Sequence, residues 1–314
     1  MQSQPTPVLT IGTRGSPLAL AQAHEVRDRL CAAHGLDPQT IAIKVIKTSG
    51  DAIVDKPLAE IGGKGLFTKE IEEQLLSGEI DLAVHSSKDM PTRLPDGLHL
   101  SAFLEREDVR DAFLSLIAKS PDNLPEGAKI GTSSLRRAAQ MKRFRPDFSI
   151  VPFRGNVQTR LEKLGRGVAD ATLLALAGLN RLGESHRATQ ILDPSQFPPA
   201  PAQGAICIET RTGDEATNRL VAALDHIETR QKVSAERGFL ESLDGSCRTP
   251  IAALSALDNG RLTLFGQLLS TDGKQVFEGE ISGDVDAGPD LGRQLGDRLK
   301  AEAGEEFLLS LKRG

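Results

Sequence analysis

A chain of 314 residues, 39% hydrophobic and 26% charged, has the length of two or three domains and the composition of a soluble globular protein. A net charge of −5 argues against a nucleic-acid binder, which carries a basic excess, and the absence of Trp and Tyr leaves only Phe and His to stack on a ligand. No apolar run approaches the roughly 18 residues of a membrane span, the first residues, MQSQPTPVLTIGTRGS, lack the basic and apolar regions of a secretory signal, and three scattered cysteines (Cys31, Cys207, Cys247) make neither a disulfide framework nor a zinc site, so a reducing, cytoplasmic setting without metal is expected.

Several segments repeat one pattern of apolar strand, short polar turn and helix. In VLTIGTRGSPLALAQAHEVRDRL, residues 8–11 read as a strand, Ser16 as an N-cap and Pro17 as the first helical residue, with Leu18, Ala21 and Val26 at roughly helical spacing. Residues 82–84 of DLAVHSSKDM read as a buried strand. AKIGTSSLRRAAQMKRF ends a strand at Ile130, turns over 132–134 and starts a helix. SIVPFRGNVQTRLEKL offers Asn156 as a cap, and DATLLALAGLNRL repeats the pattern. Such alternation predicts α/β sheets with ligands at the carboxyl ends of the strands. Two tracts read as crossings between lobes: LEREDVRDAF (104–113) and the proline-rich DPSQFPPAPAQG (193–204), which the strand AICIE follows. After about Asp225 a long helix, DHIETRQKVSAERGFLESL, leads to the loop DGSCRTP. Three strands joined by Asp258-Asn259-Gly260 and Thr271-Asp272-Gly273 come next, and a final helix over about 289–311 closes a small α+β domain.

Three turn-to-helix junctions collect backbone N–H groups, hydroxyls and arginines: Thr13 to Ser16, Gly131 to Arg137, and Arg154-Gly155-Asn156 leading to Arg160. A helix N-terminus favours an anion, and an arginine fork grips a carboxylate with two bonds. N-caps beside surface arginines are common singly; three at successive strand ends point to a compact anionic ligand. No P-loop or dinucleotide fingerprint favours phosphate, and Gly62-Gly63-Lys64-Gly65 reads as a loop carrying Lys64 and Phe67. Asp89, after the strand of His85-Ser86-Ser87-Lys88-Asp89, suits a general acid or a stabiliser of a developing cation. A local Lys88–Asp89 pair or an Asx turn before Pro91 stands equally open. His85 reads as a core histidine before a catalyst. Cys31 and Cys207 fit core packing, whereas Cys247 lies in an irregular loop beside Arg248, open to a nucleophile, an attachment point or an incidental thiol.

Taken together, TRGSPLALAQA, GGKGLFTKEIE, AVHSSKDMP, GTSSLRRAAQ, RGNVQTRLEKL, AGLNRL, PAQGAICIE and GSCRTPIA resemble the ordered signature blocks of the porphobilinogen deaminase family from about residue 11 to 255; the last 60 residues match only in general character. The resemblance implies two α/β lobes of the periplasmic-binding-protein type II kind (1–103 with 201–222, and 104–200) and a small C-terminal α+β domain (223–314) with a three-stranded antiparallel sheet. It implies a transferase of tetrapyrrole and haem biosynthesis that condenses four porphobilinogen molecules head to tail, each losing ammonia, and then releases the linear tetrapyrrole hydroxymethylbilane by hydrolysis. The growing chain stands on a dipyrromethane cofactor held by a thioether at Cys247.

The resemblance further makes Asp89, with Arg14 and Lys88, catalytic, the aspartate stabilising the cationic azafulvene left by deamination. It assigns the cofactor to Ser86, Lys88, Asp89, Thr132, Ser134, Arg136, Arg137, Arg154 and Gly155. Substrate falls to Arg14, Ser16, Arg154, Arg160, Arg181 and Gln203, with Phe67 near the pyrrole rings and Lys64 on a covering loop. Ser87 departs from the Met common there, at a position not expected to do chemistry. A monomer without nucleic-acid, membrane or metal partners is expected. The rival readings are a non-catalytic periplasmic-type protein binding an anionic solute, which needs neither Cys247 nor a third domain, and a cysteine acyl transferase, which lacks an evident histidine base.

Overall fold

The computed structural model describes residues 8–52, 68–243 and 249–313. The described residues fall into two compact units, 8–52 with 68–106 and 205–230, and 107–204 with 231–243 and 249–313.

The chain opens with β1 (Leu9–Thr13), which ends two residues beyond the expected strand, and enters α1 (Pro17–His34) through Ser16. The Ser16 hydroxyl accepts from Ala19 N at 3.3 Å, and Pro17 stands in the first turn, where its missing N–H costs nothing. There follow β2 (Ile41–Val45), α2 (Ser49–Ala52), α3 (Lys69–Ser77), β3 (Leu82–Ser86) and β4 (Leu98–Phe103). β3 runs past the expected residues 82–84, so His85 and Ser86 belong to the ladder.

The tract read as a crossing is partly strand. Residues 111–113 are the start of β5 (Asp111–Ser115), followed by β6 (Lys129–Gly131), α4 (Leu135–Phe144), β7 (Ser149–Val151), α5 (Val157–Gly165), β8 (Ala171–Ala175), α6 (Leu176–Arg181) and β9 (Gln190–Ile191). The chain then returns to the first sheet as β10 (Ile206–Arg211), before α7 (Glu215–Val221) and α8 (Ile227–Ser242).

Both five-stranded sheets have one topology. The orders are β2-β1-β3-β10-β4 and β7-β6-β8-β5-β9, with β10 and β5 antiparallel to both neighbours and the first three strands parallel. In each sheet the reversed strand comes from the segment next to a crossing. Each sheet is covered on two faces. Leu9, Ile11, Val84 and Ile208 pack with Val26 and Leu30 of α1, while Ala83 faces Ile71 and Leu75 of α3. On β5, Phe113 points into one cluster and Ala112 and Leu114 into another, the period of two expected of a strand buried on both sides.

The C-terminal sheet is antiparallel and ordered β11 (Ile251–Asp258), β12 (Arg261–Leu269), β13 (Val276–Asp284). Asn259 and Gly260 take φ of 48° and 77°, the turn that matches the strand twist at the expected hairpin. Phe239 of α8 and Leu295 and Leu299 of α9 (Gly288–Arg313) pack with Leu262, Leu264 and Leu268 of the sheet. The final helix is interrupted at Gly304, with φ 77° and ψ 163°.

Candidate active site

In the first unit, the carboxyl ends of β1 and β3 come together. Thr13 Oγ1 donates to Ala19 O at 3.3 Å, tying the strand end to the first turn of α1, with Arg14 half-buried between them. Ser86 shares a 2.9 Å hydrogen bond with the Gln22 amide. β3 passes directly into a 3-10 turn, Ser87–Asp89, held by Ser87 N donating to Ala205 O at 3.0 Å and Met90 N to Ser87 O at 3.2 Å. Ser87 and Met90 are buried and Asp89 is exposed, so the turn is anchored at its flanks and presents the carboxylate. A cavity of about 80 Å³ is lined by Arg14, Ser16, Gln22, Thr68, His85, Ser86 and Asp89. Of the expected residues it gathers Arg14, Ser16, Ser86 and Asp89; Lys88, half-buried, sits in the same turn.

His85 is buried in the core, as its residue type led one to expect, and it has a charged partner. Its Nε2 lies 3.1 Å from Glu209 Oε2 of β10, the two side chains only 5% and 0% exposed. Glu72 of α3 is buried nearby. Burial pushes its carboxyl up, and the charge of Glu209 adds to this against the pull of the Thr68 hydroxyl and His85.

In the second unit, Ser134 caps α4 by accepting from Arg137 N, and Ser134 N donates to Thr132 Oγ1 at 3.1 Å. Arg136 and Arg137, on the first turn, do grip a carboxylate, but it is the protein's own. Arg137 donates to both oxygens of Asp111, at 2.7 Å and 3.2 Å, and to Leu173 O at 2.9 Å. Arg136 donates to Asp111 Oδ2 at 2.8 Å and to Pro198 O at 2.9 Å. Gln203 donates to Asp111 Oδ1 at 2.9 Å. Burial alone would raise the Asp111 carboxyl; the two guanidiniums outweigh it and hold it far below the usual carboxylate range. Among the described residues, two guanidinium charges face one carboxylate, a net charge of +1 for the three groups, and Arg136 Nε is buried with no hydrogen-bond partner.

Arg154, Gly155 and Arg160 lie together at the start of α5, where Asn156 caps the helix by accepting from Thr159 N at 2.9 Å. Arg160 Nε donates to Gly155 O at 2.9 Å. Gly155 has φ 120°, and a Cβ there would lie 2.6 Å from Thr159 Cγ2, so the tight approach requires glycine. Arg181, at the end of α6, donates to Gly204 O at 3.1 Å. Gly204 is likewise obligatory, with φ 91° and a Cβ position 2.4 Å from Glu107 O. Lys64, Phe67 and Cys247 lie outside the described residues.

Sequence reasoning passed over Asp111, Gln22, Glu209 and Glu72. Asp111 carried a faint signal, an acidic residue opening the alternating run Asp-Ala-Phe-Leu-Ser; the others carried none, because their partners lie elsewhere in the chain. Among the described residues no group of three or more His, Cys, Asp and Glu side chains is placed to hold a metal, and no helix is long and apolar enough to cross a membrane.

Residues 9–219 match the family described as porphobilinogen deaminase, dipyromethane cofactor binding domain, and residues 230–301 match porphobilinogen deaminase, C-terminal domain. The porphobilinogen deaminase of Nitrobacter winogradskyi is 56% identical over 298 residues, 95% of this chain and 94% of that protein. That of Nitrobacter hamburgensis is 57% identical over the same shares. Among solved structures, the methionine-binding protein MetQ aligns with 71% of this chain and 89% of its own at 13% identity and a TM-score of 0.43, too distant a likeness to bear on function. With both family domains matched in order and more than half of the residues shared over nearly the whole length, the chain belongs to the porphobilinogen deaminase family.

Proposed function

We infer that the chain is a hydroxymethylbilane synthase, a transferase that joins four porphobilinogen molecules head to tail with loss of ammonia and releases the linear tetrapyrrole by hydrolysis. The carrying observation is identity of 56% over 95% of the chain, which spans both family domains. Dipyrromethane is the cofactor of this family. Its pyrroles bear acetate and propionate groups, so a fitting site needs buried cationic donors. The Asp111–Arg136–Arg137 cluster, with its net positive charge and unpartnered Arg136 Nε, suits that demand.

On this reading Cys247 holds the cofactor as a thioether, and Thr132, Ser134, Arg136 and Arg137 receive its carboxylates at the start of α4. Arg154 and Gly155 add to them from the start of α5, and Ser86, Lys88 and Asp89 from the end of β3. When bound, the cofactor supplies the nucleophilic pyrrole carbon from which the chain grows. Substrate carboxylates pair with Arg14 beside Ser16, and with Arg154, Arg160 and Arg181. Gln203 orients from the crossing segment, Phe67 packs on a ring and Lys64 closes over it. Asp89 accepts hydrogen bonds from pyrrole N–H groups and faces the positive charge left on the substrate as the C–N bond breaks. A fixed carboxylate beside a developing cation stabilises it without reorganisation. The enzyme acts as a monomer in the cytoplasm, without metal or nucleic acid, and its three scattered cysteines suit a reducing setting.

The test is an intact mass with a thiol count. The expected result is a mass excess equal to two linked pyrroles, with Cys247 blocked. An unmodified mass that porphobilinogen does not change overturns the reading. Asp89→Asn keeps the fold and loses nearly all turnover; near-normal turnover would remove the aspartate from its role.

A further inference from the structure

The buried pair His85–Glu209 lies outside the roles assigned above, yet His85 lines the same cavity as Asp89. We propose that His85 and Glu209 are positioning residues for Asp89, a buried pair on the face of the first sheet covered by α3 that holds the end of β3 and thereby the turn carrying the carboxylate. This rests on the functional reading of Asp89 given above.

Strand register carries the argument. β3 and β10 pair antiparallel with His85 opposite Cys207 and Ala83 opposite Glu209. His85 and Glu209 are therefore diagonal neighbours on one face, close enough for long side chains to meet. The contact ties β3 to β10 two residues before Ser87, whose N–H donates to Ala205 at the start of β10. Side chain and backbone thus fix the same short stretch to the same strand. The opposite face of that stretch is held by Ser86 on Gln22 of α1. Only Asp89, at the tip, is exposed.

The pair is tightly constrained. Around it α3 contributes Ile71 and Leu75, with Glu72 as the other ionisable group. Among the described residues Glu209 Oε1 is buried without a hydrogen-bond partner, and the imidazole is the one side-chain hydrogen-bond partner of the carboxylate. Glu209 thus depends on His85 for its pairing, and removing either partner leaves the other buried without it. The stranded group pulls the strand end toward water, and displacement of a catalytic carboxylate by about 1 Å costs on the order of 10²-fold in rate.

The experiment uses the full holoenzyme. Glu209→Leu and His85→Leu are expected to lower kcat by roughly 10²-fold, with KM for porphobilinogen changed far less. In both, amide hydrogen exchange at Ser87 and Met90 is expected to rise, a readout independent of turnover. The double variant His85→Gln/Glu209→Gln restores a neutral hydrogen-bonded pair and recovers most of kcat and of the protection. A double variant no better than Glu209→Leu alone would overturn a positioning role, as would wild-type kcat and exchange in the single variants. Neither outcome touches the functional reading, which stands or falls with the cofactor mass and Asp89→Asn.

Discussion

Replacing Asp111 by Asn keeps the side-chain shape and removes the charge between Arg136 and Arg137. Those side chains are 4% and 7% exposed, so water cannot take over the lost interaction. The new amide also points donor hydrogens at two groups that only donate. Stripping one partner from a buried ion pair costs about 3–5 kcal/mol. At about 2–4 °C per kcal/mol, the melting midpoint should fall by roughly 6–20 °C. Calorimetry near pH 7 measures this, repeated at ~1 M salt, where a surface pair would be screened and a buried one much less so. The pH dependence has a definite sign. The Asp111 carboxyl titrates well below its unfolded value in the folded protein, so its stabilisation is complete above about pH 4 and fades as pH falls further. Wild-type and variant midpoints therefore converge in acid. A fall under about 2 °C at neutral pH, or a gap that closes with salt instead of acid, would refute the reasoning.

Other expectations follow from individual contacts. Glu236 is fully buried and accepts from Ala202 N at 2.6 Å and Ser255 N at 2.9 Å; Glu236→Ala should leave both amides unpaired at about 1–3 kcal/mol each, read by urea unfolding. Gly155→Ala should lose on the order of 1–3 kcal/mol from strain and the clash with Thr159, whereas Gly165→Ala, with open space around its Cβ, should not. Because burial raises the Glu72 carboxyl in the folded protein, its ionisation opposes folding as pH rises above the unfolded value of about 4.3. Glu72→Gln should therefore raise the melting midpoint at neutral pH and leave it unchanged in acid; a lower neutral midpoint would contradict this.

The turn-to-helix junctions were legible in the sequence because capping is local. Ser16, Ser134 and Asn156 each bond within three residues of themselves, and the glycines beside them mark turns by composition alone. The hairpin at Asn259-Gly260 was legible for the same reason. Asp111 was not, since its partners lie 25 and 26 residues away on α4 and its own segment looked like a charged connector. Glu209 was hidden further, 124 residues from His85. Arginines at a helix start announce an anion but not whose anion it is; for Arg136 and Arg137 the first carboxylate came from the sheet beneath them.

The strand order of the first lobe governs how the chain comes off the ribosome. β4 joins its sheet through β10 alone, and about 100 residues must be made between those two strands. At ~5–20 residues per second this leaves β3 and β4 as open edges for about 5–20 s of synthesis. The second lobe is contiguous from β5 to β9 and can close as it emerges, so the lobe that begins the polypeptide is the one that finishes later.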